Sequence, residues 1–276
     1  MTSDRLSPED YQDDRCVLID QNTGEKCSPS GIPIMRIVEK LDAYCAEGNF
    51  AAASRHLDYW IAEADMTGDR RGAFSVYNEM MGFYRKQGDR KRAMDALQKA
   101  EELIGELGIE GSASAATCYV NCATVHLNFG EAEEAMPYFE KACGIMESLK
   151  NVPPEKMGGL YNNMGLALSD LGRYAEAFSS FEKALAFMEK KEGSEGDLAI
   201  TYLNMADALT MEGEAEDDII LAYVEKARQM LDSPSAVRDA YYAYICRRCA
   251  PGFSYYDMPE YAEELKARAD GIGEDK

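Results

Sequence analysis

Between Leu160 and Met188, apolar and small residues return every three or four positions. Tyr161, Met164, Gly165 and Leu168 fall on one face of a helix, and Tyr174, Ala177, Phe181, Ala184 and Leu185 on one face of a second. Gly172 divides the two, because glycine enters the left-handed conformation past a helix end without a Cβ penalty. Gly165 and Ala177 are small where a core position would ordinarily be bulky, so the pattern predicts a helical hairpin whose axes approach closely.

The same unit recurs along the chain. Glycines placed to end each first helix stand at Gly48, Gly88, Gly130, Gly172, Gly213 and Gly252, with successive differences of 40, 42, 42, 41 and 39 residues. A tyrosine marks the first helices as Tyr77, Tyr119, Tyr161 and Tyr202, and the second helices end in Lys99-Ala100, Lys141-Ala142, Lys183-Ala184 and Lys226-Ala227. Hairpins are therefore expected over about 33–67, 73–107, 115–149, 157–191 and 198–232, with a degenerate terminal unit over 234–270 and a tail over 271–276. Trp60 in the first unit suits a cap over an exposed core face, and Asp257 is placed to cap the last helix. Pro137 falls inside a second helix, where it removes one backbone hydrogen bond and favours a bend. Residues 1–31 stand apart as an arm or small hairpin: the β-prone run Cys16, Val17, Leu18 and Ile19 leads into turn residues Asp20 to Gly24.

These markers resemble the tetratricopeptide repeat, with Tyr161 at repeat position 4, Met164 and Gly165 at 7 and 8, Ala177 at 20, Phe181 at 24 and Ala184 at 27. Glu189 stands where that repeat usually closes on proline. Intervals near 42 residues resemble the longer repeats of kinesin light chain and of bacterial peptide-sensing regulators. The resemblance implies an all-α fold, a right-handed superhelical solenoid of about five to six antiparallel helix pairs over 32–270. Its first helices would line a concave peptide-binding groove through repeat positions 2, 5, 6, 9, 12 and 13.

In this register position 6 carries Asn121, Asn163 and Asn204, and position 5 carries Asn78 and Asn162. Thr124 and Asp207 stand at position 9, Arg85 at 12, and Lys86, Asn128 and Asp170 at 13. Asparagine is less favourable than alanine inside a helix by roughly 0.5 to 0.7 kcal/mol, so its repetition there needs a reason. An amide offers both donor and acceptor, which matches an extended peptide backbone; an amide bonded to a neighbouring helix is the competing account. Arg85 and Lys86 are the only basic residues among these positions. The expected ligand is therefore a neutral or basic segment, with room for one acidic anchor near Arg85.

Charge narrows the partner further. The 276 residues carry 50 acidic against 29 basic side chains, a formal net charge of -21. That balance disfavours nucleic acid, which requires clustered Lys and Arg. No apolar run reaches the roughly 18 residues of a membrane span, so no membrane partner and a cytoplasmic location are expected. The eight cysteines are scattered in the manner of reduced, packed thiols. His126 sits at a packing position and His56 on an ordinary second helix. No phosphate loop, nucleophile elbow or His-Glu metal motif occurs, so neither catalysis nor a cofactor is expected. Two alternatives to a peptide-binding scaffold follow. One is a peptide-sensing regulatory protein, weakened because no DNA-binding helical module precedes the repeats. The other is a thiol-based metal or redox protein acting through Cys16, Cys27, Cys246 and Cys249, where Arg247 and Arg248 would lower the thiol pKa.

Overall fold

A computed structural model describes residues 31–272, and among these every regular element is an α-helix, twelve in all. The arm and its Cys16 and Cys27 lie outside the described residues. The chain divides into two compact units, the first ending at Phe129 and the second beginning at Gly130. In the first unit stand α1 (Ile34–Ala46), α2 (Phe50–Thr67), α3 (Arg70–Lys86), α4 (Arg90–Leu107) and α5 (Ala113–Asn128). In the second stand α6 (Ala132–Ser148), α7 (Pro154–Asp170), α8 (Tyr174–Met188), α9 (Glu195–Glu212), α10 (Asp217–Leu231), α11 (Ala240–Tyr255) and α12 (Pro259–Gly271).

The hairpins pack as the periodicity requires. Helix α7 lies against α8 so closely that a Cβ on Gly165 would stand 2.5 Å from the Phe181 ring, and one on Gly158 2.7 Å from Met188. These two contacts run in opposite sequence directions, the register of an antiparallel pair. The tyrosine and lysine markers recur together because they touch. Lys183 Nζ lies 5.1 Å over the Tyr161 ring and Lys226 Nζ 5.5 Å over Tyr202, a cation–π contact between the two helices of a repeat. The extra length of these repeats resides in the helices, which run 15 to 18 residues from α2 to α9.

Gly48, Gly88, Gly130, Gly172 and Gly213 all adopt positive φ, between 68° and 75°. Gly252 does not. It lies inside α11, facing Leu203, and the helix runs on to Tyr255. The left-handed turn falls instead at Asp257, φ 59°, since aspartate is among the few side-chain-bearing residues that tolerate this conformation. Asp257 is therefore the hinge of the last hairpin and not its cap; Met258 precedes α12 without a side-chain bond. Trp60 is buried against Tyr59 and His56, 5.1 and 6.4 Å between ring centroids.

First helices also touch first helices: α1 meets α3 and α3 meets α5 in the first unit, α7 meets α9 and α9 meets α11 in the second. Asn121 bonds Asn78 and Asn128 bonds the Arg85 carbonyl at one constant offset of 43 residues, so α3 and α5 run parallel. Each unit thus presents a wall of parallel first helices. Among the described residues no helix is long and apolar enough to cross a membrane.

Candidate functional site

On the first unit's wall, the asparagines spend amide groups on each other. Asn121 Nδ2 donates to Asn78 Oδ1 at 3.1 Å, while Asn78 Nδ2 returns to the Phe74 carbonyl at 3.0 Å. The Thr124 hydroxyl donates to the Asn121 carbonyl at 2.9 Å. Arg85 is half-buried; Lys86 and Asn128 are exposed. Glu79, which the asparagine series passes over, occupies position 6 of its repeat. Burial, and then the carboxylate of Asp42 on α1, push its pKa up, while Lys86 pulls it down.

The second unit repeats the arrangement. Asn204 Nδ2 on α9 donates to Asn162 Oδ1 on α7 at 2.9 Å, and Asn162 Nδ2 reaches Asn163 Oδ1 at 3.4 Å. Asn162 is buried and committed to these two neighbours, so it braces α7 against α9 and is not open to a ligand. Asn163 and Asn204 are half-buried. Among the described residues, Asn163 Nδ2 and Asn204 Oδ1 have no protein partner.

Two open clefts lie on the second unit, one at its helix ends and one lined in part by Asn204. One, about 410 Å³, is bordered by Glu133, Glu134, Asp170 and Met211. Desolvation raises the Asp170 carboxyl. The other, about 220 Å³, lies between α9 and α11 and includes Ile200, Asn204, Asp207, Arg248 and Pro251 in its lining. There Tyr256 donates to Asp207 Oδ1 at 2.7 Å. Burial pushes the Asp207 carboxyl up, against the downward pull of that hydroxyl and of Arg248. Arg248 was hidden by the misplaced break. Counted from Asp257, 44 residues after Gly213, it aligns with Asn204, and the same offset of 44 joins Tyr241 to Asp197.

The thiol alternative fares differently. Cys246 and Cys249 are buried in the core that α9 to α12 share, and burial raises both thiols, Cys249 to about 12, outweighing the arginines that pull them down. The expected thiolate activation is thus reversed, because desolvation of a buried anion exceeds the attraction of exposed cations. His126 is buried, as is His56, whose Nε2 lies 2.9 Å from the Ile37 carbonyl.

Residues 157–231 and 116–147 each match a family model described as tetratricopeptide repeat. No curated protein matches the chain in sequence. Solved structures share the fold. BtubC (BKLC) from P. vanneervenii is 18% identical over 82% of this chain and 90% of its own, with a TM-score of 0.54. The TPR-like repeats of a putative kinesin light chain from Podosopora anserina are 14% identical over 71% and 92%, TM-score 0.51. Aspartyl phosphate phosphatase F from Bacillus subtilis is 18% identical over 87% and 69%, TM-score 0.52. These identities speak to the fold alone, and a fold shared with a protein named a phosphatase carries no activity across. Paired helices, left-handed breaks at a period near 42 residues and the two family matches converge: the chain carries tetratricopeptide repeats over residues 116–147 and 157–231, within an all-α helical-repeat fold.

Proposed function

We propose that the protein is a non-enzymatic interaction module whose first-helix walls bind an extended peptide or protein segment. Tetratricopeptide repeats mediate protein–protein interaction, and the finer reading rests on one observation. Asn163 and Asn204 are each held by one amide group and keep the other unspent, which presents a donor and an acceptor at fixed positions along parallel helices. Such an array suits a peptide main chain, whose N–H and C=O groups require partners whatever its side chains. Asn121, Thr124, Asn128, Arg85 and Lys86 are the corresponding residues of the first unit. The acidic border at Glu133, Glu134 and Asp170 favours a basic residue in the ligand there.

The test is binding of a selected peptide by wild type and by Asn163→Ala. Asn163 holds a single long contact of 3.4 Å, so the variant is expected to stay folded, losing less stability than Asn204→Ala, while binding at least tenfold more weakly. Unchanged affinity would show the amide to be a bystander.

A further inference from the structure

Two hairpin turns carry the same backbone and opposite charge. Around Gly88, five of the eight residues from Arg85 to Arg92 are basic and one, Asp89, is acidic. Around Gly213, five of the seven residues from Glu212 to Asp218 are acidic and none is basic. Both glycines adopt positive φ, 71° and 75°, so the two runs hold equivalent places in the α3–α4 and α9–α10 hairpins. In a chain of net charge -21, the basic run is the anomaly.

Its placement works against the fold. Arg90, Lys91 and Arg92 fill the first turn of α4, where the positive end of the helix dipole disfavours cations. The first turns of α6, α8 and α10 carry Glu133 and Glu134, Glu176, and Asp217 and Asp218 instead. Arg92 has a use inside the chain, donating to the Ser54 hydroxyl at 2.6 Å and to the Tyr84 hydroxyl at 2.8 Å. Lys91 has none. It is exposed and, among the described residues, holds no carboxylate within 4.0 Å, whereas Lys99 and Lys266 each reach one at 2.7 Å. Glu214, Glu216, Asp217 and Asp218 are likewise exposed and, among the described residues, hold no basic partner.

Both turns also show apolar side chains to solvent. Met211, Ile219 and Leu221 are 53, 49 and 46% exposed around the acidic turn. Phe50, 44% exposed, stands one helical turn before Ser54, the residue that Arg92 grips, and so borders the basic turn. Apolar groups set among charges are the make-up of a protein interface. The complement of the basic turn, similar in length and number of charges, is present in the same sequence. Nucleic acid and anionic membrane need a broad basic surface, which one turn does not supply.

We infer that the basic turn docks on the acidic turn of a second copy of this chain, with Arg90 and Lys91 of one copy facing Glu214, Glu216 and Asp217 of the other and the exposed apolar residues meeting between them. The interface lies at the hairpin turns, apart from the first-helix walls, and is independent of peptide binding. Repulsion between two acidic copies is screened beyond about 8 Å at physiological salt, while paired charges in contact are screened much less. Each copy carries both turns, so the second pair of turns either closes a dimer or recruits a third copy.

The experiment is sedimentation velocity of the full chain over a range of concentrations. The mass is expected to rise with concentration and to fall back toward the monomer when salt is raised to about 1 M. Doubling marks a closed dimer and continued growth an open chain. Arg90→Glu with Lys91→Glu places acids at a helix N terminus, which favours the fold, and is expected to weaken self-association at least tenfold. Glu214→Lys with Glu216→Lys should do the same, with circular dichroism confirming that both variants keep their helices. Mixing the two variants, or reversing both turns in one chain, is expected to restore association. A wild type that stays monomeric throughout overturns the inference and leaves an acidic segment of another protein as the occupant of the basic turn. Association that survives either reversal, or is not restored by the mixture and the doubly reversed chain, overturns the pairing of the turns.

Discussion

Asn162 and Asn204 join α7 to α9 through a 2.9 Å hydrogen bond, and Asn162 is only 8% exposed. Truncating Asn204 to alanine removes the donor and leaves a buried amide oxygen short of a partner, which costs about 1–3 kcal/mol. Alanine's better helix propensity returns roughly 0.6 kcal/mol, so the net loss is about 0.5–2.5 kcal/mol. Asn163→Ala gains the same propensity and takes from Asn162 Nδ2 only its weaker, 3.4 Å partner, so it should cost less stability than Asn204→Ala. Urea unfolding followed by far-UV circular dichroism would separate the two, and the Asn162→Ala, Asn204→Ala double-mutant cycle would give their coupling directly. A coupling near zero, or equal stability of Asn163→Ala and Asn204→Ala, would refute the brace and with it the distinction between spent and unspent amides.

Three further outcomes follow from the packing. Gly165→Ala should destabilise the α7–α8 hairpin by about 1–3 kcal/mol, since the new methyl meets the fully buried Phe181 ring at 2.5 Å; a neutral result in thermal unfolding would show that the ring yields freely. Arg268→Ala should lower the stability of the last repeat by about 1–3 kcal/mol, because the side chain, 20% exposed, links Asp232 at 2.8 Å with the Tyr242 hydroxyl and covers the Tyr261 ring; hydrogen exchange confined to α11 and α12 would register it. His56 is held neutral, its pKa lowered by burial despite the Ile37 carbonyl bond. The unfolded chain therefore binds a proton that the folded chain resists. Stability from this group is complete above about pH 6.5 and is lost as pH falls from there toward the folded pKa. NMR titration of the imidazole should give a midpoint below 6.5, and one above it would reverse the sign.

Much of the fold was readable because helix period and glycine breaks are local properties. Tyr161, Gly165, Phe181 and Lys183 mark positions where one helix meets its sequential neighbour, and a spacing rule suffices to find them. The last hairpin resisted for a local reason too: the residue in the left-handed turn is Asp257, while Gly252, the obvious candidate, serves inside a helix. That single substitution of role shifted the register of α11 and concealed Arg248. The wall residues were placed on the right helices, but their duties were not legible. Asn162 and Asn163 are adjacent in sequence and chemically identical, yet one is buried between helices and the other half-exposed. Which amide meets a neighbour depends on the stagger between repeats and on rotamer, neither of which a periodicity encodes. The direction of the Cys246 and Cys249 shifts likewise depends on burial, a three-dimensional quantity that outweighs the arginines beside them in sequence.

The most direct test of the account is to follow the side-chain amide signals of protein labelled at asparagine nitrogen as a selected dodecapeptide is added. The account predicts saturable shifts of the Asn163 and Asn204 NH2 groups, with the buried Asn162 changing least. Saturable binding that leaves Asn163 and Asn204 unmoved, and perturbs only residues of the second helices such as α8 and α10, would contradict it.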